Sequence, residues 1–236
     1  METIAVLILN YKRTRNVQNI ILPSLVSNPL VSTIIIAHGL QSTVFGIGNQ
    51  LADGEIVKDG KILHVGNYKE NEDIGCFRRW RLIKQLKENG QLNETYIYSH
   101  DDDLVFDLTA FPILLQSYKE GKGILICGTP GRIYSNNQYL FKDVKGNCSI
   151  ALGRSIFTTV DTICKAVTKA ALTNIPNEIL KQDDICLSFL SLASPSQEYK
   201  HYSIECKYRD LPSSDALSDK KDHVMKRNTA LRYFIV

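Results

Sequence analysis

The stretch Tyr96-Ile97-Tyr98-Ser99-His100-Asp101-Asp102-Asp103-Leu104-Val105-Phe106 runs from apolar residues into three consecutive carboxylates and back into apolar residues. Residues 94–98 carry the β-branched and aromatic side chains of a strand. The aspartates therefore stand just past its carboxyl end, the edge at which ligands collect in an open parallel sheet. Three adjacent negative charges repel one another, so the run needs a compensating cation, several hydrogen-bond donors or the water around a solvated turn. Oxygen ligands of this kind suit Mg²⁺ or Mn²⁺, which bridge a protein to a substrate diphosphate and neutralise charge on a leaving phosphate.

On the amino-terminal side, residues 4–9 form a wholly apolar run, residues 15–26 place apolar side chains at helical spacing, and residues 31–37 are again β-branched. Two buried strands joined by a helix make a βαβ unit, and hence a parallel sheet covered on both faces. Residues 61–65 predict a third strand, and 74–88 a basic amphipathic helix containing Arg78, Arg79, Trp80 and Arg81. Beyond the aspartates a helix is expected over 108–118 and a strand over 123–127. The alternation then stops, with short β-like pieces at 132–140 and 148–152. Helices are expected over 156–172 and 176–190, a short strand over 203–207 and a terminal helix over 222–234. The fold class is therefore α/β, a single domain over 1–236 with a mostly parallel central sheet flanked by helices. Residues 1–106 make the nucleotide-binding half and 107–236 the acceptor-binding half.

A chain of 236 residues, 44% hydrophobic, is long enough to bury one large core. Its net charge of +3, from 28 basic and 25 acidic side chains, gives no extended footprint for nucleic acid. The six cysteines lie far apart with no C-x-x-C pair, and read as free thiols. Because no apolar run approaches eighteen residues, no transmembrane segment is expected and the chain reads as soluble. His38 and His64 close apolar strands and read as structural; Trp80 reads as core or a pocket wall; Gly46 and Gly48 read as a turn.

Two further groups carry chemistry. Asp183 and Asp184 precede an apolar stretch with helical spacing, where carboxylates either cap the helix or meet an acceptor hydroxyl or an anomeric carbon. His223 and Arg227 lie four apart on one helix face, suited to a diphosphate or simply to a solvated basic terminus.

Taken in order, the Asp101-Asp102-Asp103 run, Lys181-Gln182-Asp183-Asp184-Ile185 and the segment from Leu217-Ser218 through Phe234 resemble the exostosin-type glycosyltransferase domain. That family has the GT-A fold and extends heparan-sulfate-like chains with N-acetylhexosamine. The triplet matches its D-x-D site, and Ser149-Ile150-Ala151-Leu152-Gly153-Arg154 is similar to the part that shapes its acceptor pocket. The resemblance implies a retaining hexosyl- or N-acetylhexosaminyltransferase using a nucleotide-diphosphate sugar, UDP-linked, and a glycan acceptor. It implies Asp184 as catalytic carboxylate, Asp183 beside it and Arg227 on the diphosphate. Asp103 with Asp101 would hold Mn²⁺ or Mg²⁺, and Asp101 and Asp102 would orient the donor. His223 would contact phosphate or the metal. Leu9, Asn10, Tyr11 and Arg13 would hold base and ribose, with Arg78 or Arg79 on the donor. Lys181 and Gln182 depart from the family's asparagine and cysteine, which points to a different acceptor. The lack of a membrane anchor points to a cytoplasmic enzyme of viral or microbial origin. A metal-dependent nucleotidyltransferase and a non-catalytic nucleotide-sugar-binding module are the alternatives.

Overall fold

A computed structural model describes residues 2–48, 50–107, 109–193, 200–212 and 222–235. All seven residues of β1 (Ile4–Asn10) are buried. Ala5, Leu7 and Leu9 enter one apolar core while Ile4, Val6 and Ile8 enter another, which is the period-two alternation of an extended chain covered on both faces. The remaining strands are β2 (Val31–His38), β3 (Ile56–Asp59), β4 (Ile62–Gly66), β5 (Tyr96–His100), β6 (Leu104–Phe106) and β7 (Ile126–Cys127). They continue with β8 (Gly131–Ser135), β9 (Gln138–Val144), β10 (Gly146–Cys148), β11 (Ser155–Thr159), β12 (His201–Ser203) and β13 (Tyr208–Asp210).

The main sheet has nine strands in the order β10-β12-β7-β11-β5-β1-β2-β4-β3. Pairing is parallel from β5 through β1 and β2 to β4, and again between β12 and β7. β11 inserts antiparallel to both β5 and β7, and the edge strands β3 and β10 are also antiparallel. Two small ribbons stand apart, β8 with β9 and β6 with β13.

The helices are α1 (Thr14–Asn16), α2 (Leu22–Val26), α3 (Tyr68–Ile74), α4 (Arg78–Glu88), α5 (Ala110–Lys119), α6 (Val160–Leu172), α7 (Asn177–Leu180), α8 (Asp183–Leu190) and α9 (His223–Ile235). α4, α6 and α8 send Trp80, Leu86, Ile163, Ala166, Ile185 and Leu187 into the first core. Val17, Ile21, Leu25, Phe111 and Leu114, from the first crossover and α5, fill the second. The domain is thus three layers with a mostly parallel sheet in the middle, as the apolar periodicity implies.

Several boundaries differ from the sequence expectation. Residues 156–172 are not one helix: Ser155–Thr159 is a strand and only Val160–Leu172 is helical. The expected helix over 74–88 begins earlier, at Tyr68, and breaks at Gly75, whose φ of 57° suits glycine. The helix expected over 176–190 is interrupted at Lys181 and Gln182, which leaves Asp183 and Asp184 in the first turn of α8. The short strand expected over 203–207 is replaced by β12 and β13 on either side of it. β3 has no counterpart in the sequence reading. Leu108 of the expected fifth helix, and Leu217 through Lys221 of the terminal motif, lie outside the described residues.

Candidate active site

β1, β2, β4 and β5 all point their carboxyl ends to the same edge of the sheet. Because β11 is antiparallel, its first residue is brought to the same place, with Ser155 opposite His100. Asp101, Asp102 and Asp103 therefore follow β5 directly beside Gly153 and Arg154, which precede β11. The triplet is pinned on both flanks: the Asp101 amide donates to the Arg154 carbonyl at 3.2 Å, and the Leu211 amide donates to the Asp103 carbonyl at 2.7 Å.

Each carboxylate of the triplet meets an arginine. Arg13 donates to Asp102 Oδ1 at 2.6 Å and stands 3.8 Å from Asp103. Arg79 donates to Asp101 at 3.0 Å, and Arg154 reaches Asp103 at 3.3 Å and Asp210 at 2.5 Å. The mutual repulsion expected to call for a metal is thus answered in part within the chain. Burial pushes the Asp102 carboxyl up and Arg13 opposes that; burial and the charge of Asp101 push Asp103 up, against Arg154 and Arg13.

The same network reaches the second acidic pair. Arg79 is buried, donates to Ser99 Oγ and the Gly153 carbonyl, and its Nε lies 3.1 Å from Asp183 Oδ2. That contact is an ion pair without hydrogen-bond alignment, so Asp183 Oδ2 is buried with no hydrogen-bond donor. Burial pushes Asp183 up to about 6, with Arg79 working against the shift and Asp184 adding to it. Asp184 behaves oppositely. Its desolvation is outweighed by Arg227, whose two terminal nitrogens donate to the two carboxylate oxygens at 3.1 and 2.8 Å, and by the Ile185 amide at 2.8 Å. Asp184 is therefore held as a carboxylate, while Asp183 stands ready to exchange a proton near neutrality. The Arg227 guanidinium lies 4.2 Å from the centre of the Tyr139 ring.

Sequence reasoning left open which of two neighbouring arginines faces the ligand; in the structure they part company. Arg79 joins the carboxylates, whereas Arg78 is buried towards the ends of β2 and β4, donating to the Asn67 carbonyl at 2.8 Å. Its Nε has no hydrogen-bond partner, and a Cβ built on Gly39 would come within 2.6 Å of its Nη2 and 3.0 Å of the Tyr11 ring. Tyr11 and Arg13 sit at the exit of β1, where the Tyr11 amide and the Arg13 guanidinium both meet Asp102. Leu9 and Asn10 do not offer side chains there: Leu9 belongs to the core, and the Asn10 amide is committed to His38 Nδ1 and the Thr43 carbonyl. His38 in turn shares a hydrogen bond with His64 at 3.1 Å, and burial lowers both imidazoles, His38 to about 4. They form a satisfied structural pair. His223, partly buried at the start of α9, is lowered by desolvation and by Arg227 one turn along the helix. The residues that sequence reasoning missed are Arg154, as a partner of Asp103, and Tyr139, under Arg227. The sequence set Arg154 only in a segment similar to an acceptor-pocket wall; its pairing with Asp103 depends on β11 running antiparallel.

No group of three His, Cys, Asp or Glu side chains among the described residues is arranged to enclose a metal ion. A Mg²⁺ or Mn²⁺ that arrives with a nucleotide takes only one or two carboxylates, the remaining ligands being phosphate oxygens and water. Asp103 and Asp101 fit that demand, with side chains 19% and 26% exposed; Asp102, at 6% and closely paired to Arg13, does not. Among the described residues the network contains six carboxylates (Asp101, Asp102, Asp103, Asp183, Asp184, Asp210) and four guanidinium groups (Arg13, Arg79, Arg154, Arg227). That excess of negative charge suits a divalent cation. A cavity of about 650 Å³ between α4 and α6 is lined by none of these residues.

No family model matches the chain, and no curated protein matches it. Among solved structures it is similar to 2-C-methyl-D-erythritol 4-phosphate cytidylyltransferase from Francisella tularensis, at 12% identity and a TM-score of 0.49 over 97% of this chain and all of that one. No helix among the described residues is long and apolar enough to cross a membrane, and all six cysteines are free.

Proposed function

We propose that this chain is a metal-dependent glycosyltransferase of GT-A type, moving a hexose or N-acetylhexosamine from a nucleotide-diphosphate sugar, UDP-linked, to a hydroxyl of a glycan, with retention at the anomeric carbon. The observation that carries the reading is the convergence of three distant segments. Arg79 joins Asp101 to Asp183, and Arg227 pairs with the neighbouring Asp184, at the carboxyl edge of an α/β sheet, where ligands generally bind.

In this reading Tyr11 and Arg13 lie along the nucleoside, and Asp103 with Asp101 takes the cation. Mn²⁺ or Mg²⁺ there supplies electrostatic stabilisation of the charge that grows on the leaving diphosphate. Arg227 keeps Asp184 ionised opposite the electron-poor anomeric centre. Asp183 takes a hydrogen bond from the acceptor hydroxyl and Arg79 holds it in place. Burial of both groups keeps water from competing.

A thermal-shift screen of UDP-sugars with and without Mn²⁺ tests the proposal. At a hundredfold excess over Kd, a ligand specific for the folded state adds about 2.7 kcal/mol, or roughly 5–10 °C for a domain of this size. The gain should need Mn²⁺ and vanish in Asp103→Ala. Product analysis should show nucleoside diphosphate; release of pyrophosphate would make the enzyme a nucleotidyltransferase. Undiminished turnover in Asp103→Ala would overturn the metal assignment.

A further inference from the structure

The Asp184–Arg227 pair continues outward into an aromatic ladder. Below Arg227 lies the ring of Tyr139, and 4.9 Å further on, edge to face, is the ring of Phe141, which is 50% exposed. Phe141 also approaches the His223 ring, at 6.1 Å. The strand that carries both aromatics is not a loose flap, since the Tyr139 amide donates to Asn228 Oδ1 on α9 at 2.8 Å. Tyr139 and Arg227 are buried, so the ladder leads from a fixed, solvent-facing ring down to the buried carboxylate. An exposed aromatic face with an imidazole at its edge matches a pyranose, which offers C–H groups on one face and hydroxyls around its rim. The flank beside Asp184 and Arg227 is also distinct from the Tyr11 and Arg13 flank assigned to the nucleoside.

We propose that Phe141 is a specificity-determining platform for the acceptor, stacking against the ring of a glycan sugar on the flank where Tyr139 and Arg227 back Asp184. This rests on the transferase reading above, but its direct test does not. Calorimetry without donor is run with cellobiose, chitobiose, maltose and N-acetyllactosamine on the intact chain, on Phe141→Ala, Phe141→Leu and Phe141→Trp, and on Leu172→Ala as a remote exposed control. An aromatic stack is worth roughly 0.5–1.5 kcal/mol, so affinity for whichever sugar binds should fall about three- to tenfold in Phe141→Ala. It should fall as far in Phe141→Leu, which keeps apolar bulk but no ring, and hold in Phe141→Trp and Leu172→Ala. Wild-type affinity in Phe141→Leu or Phe141→Ala overturns the platform, as does failure of the intact chain to bind any of the four. A matching fall in melting temperature and UDP affinity in Phe141→Ala would also overturn it, by making the ring a packing element. Ring-dependent sugar binding with no transfer from any nucleotide sugar would instead leave the platform standing and sink the transferase reading alone.

Discussion

Asp184 accepts three hydrogen bonds, two from Arg227 and one from its own helix, and it is among the most buried charges in the protein. Removing one partner of such a pair leaves the other desolvated and alone, so Arg227→Ala should lower the unfolding free energy by about 3–5 kcal/mol in urea denaturation. The double change Asp184→Leu with Arg227→Met should regain most of that loss, since an apolar pair of similar bulk removes both charges. It should remain without transfer activity. If the double variant is as unstable as the single one, the pair is a structural necessity rather than a functional one. At this scale the sequence was partly legible. Carboxylate runs and an i, i+4 pair of His223 and Arg227 can be seen in one dimension, and they do converge. The division of labour between Arg78 and Arg79 cannot, because adjacent helical residues point about 100° apart and which direction holds the cleft depends on how α4 lies on the sheet.

β11 shows how an element can be misread and still matter. Its apolar run, Ile156-Phe157, merges with the apolar face of α6, and short buried strands cannot be told from helix by periodicity. The boundary is set by Thr159, whose side chain accepts a hydrogen bond from the Thr162 amide as an N-cap. The antiparallel insertion of this strand is what delivers Gly153 and Arg154 to the aspartates. A Cβ on Gly153 would meet Asp183 Oδ2 at 3.5 Å, Asp184 Cβ at 3.6 Å and Arg79 Nη2 at 3.7 Å, all ordinary contact distances. Gly153→Ala should therefore fold with stability within about 0.5 kcal/mol of the parent, yet raise the acceptor KM by filling the space beside Asp183. An unchanged acceptor KM would place the acceptor elsewhere. Gly66 gives the contrasting case, as a Cβ there would lie 2.1 Å from the Ala52 carbonyl oxygen. Gly66→Ala should cost about 1–3 kcal/mol by overpacking, readable as a lowered melting temperature.

Across the whole molecule, acid stability is a contest between buried histidines and the aspartates that burial raises, Asp183 together with Asp102 and Asp103. Burial lowers His38, His100 and His201 to about 4. Between about pH 4 and 6.5 the unfolded chain takes up these protons and the folded chain does not, so stability rises with pH. Asp183, raised to about 6, acts the other way: the folded chain keeps its proton while the unfolded chain loses it near 3.8, so its contribution falls as pH rises through the same window. Urea titrations from pH 4 to 6 should thus show net stabilisation with rising pH. The slope should steepen in Asp183→Asn by less than one proton's worth, the ceiling being about 1.4 kcal/mol per pH unit. An unaltered slope would mean that Asp183 is ionised throughout. The three-layer plan was readable from apolar periodicity alone, because strands covered on both faces must be wholly apolar. The electrostatic network was not, because its arginines come from four separate segments. One of those arginines, Arg79, is shared by Asp101 and Asp183, and sharing imposes reciprocity. Whatever neutralises Asp101 frees the guanidinium to turn wholly to Asp183, and whatever occupies Asp183 returns it to Asp101. Occupancy on one flank should then change affinity on the other by an equal factor in both directions, so ligands for the two flanks should bind cooperatively whichever arrives first.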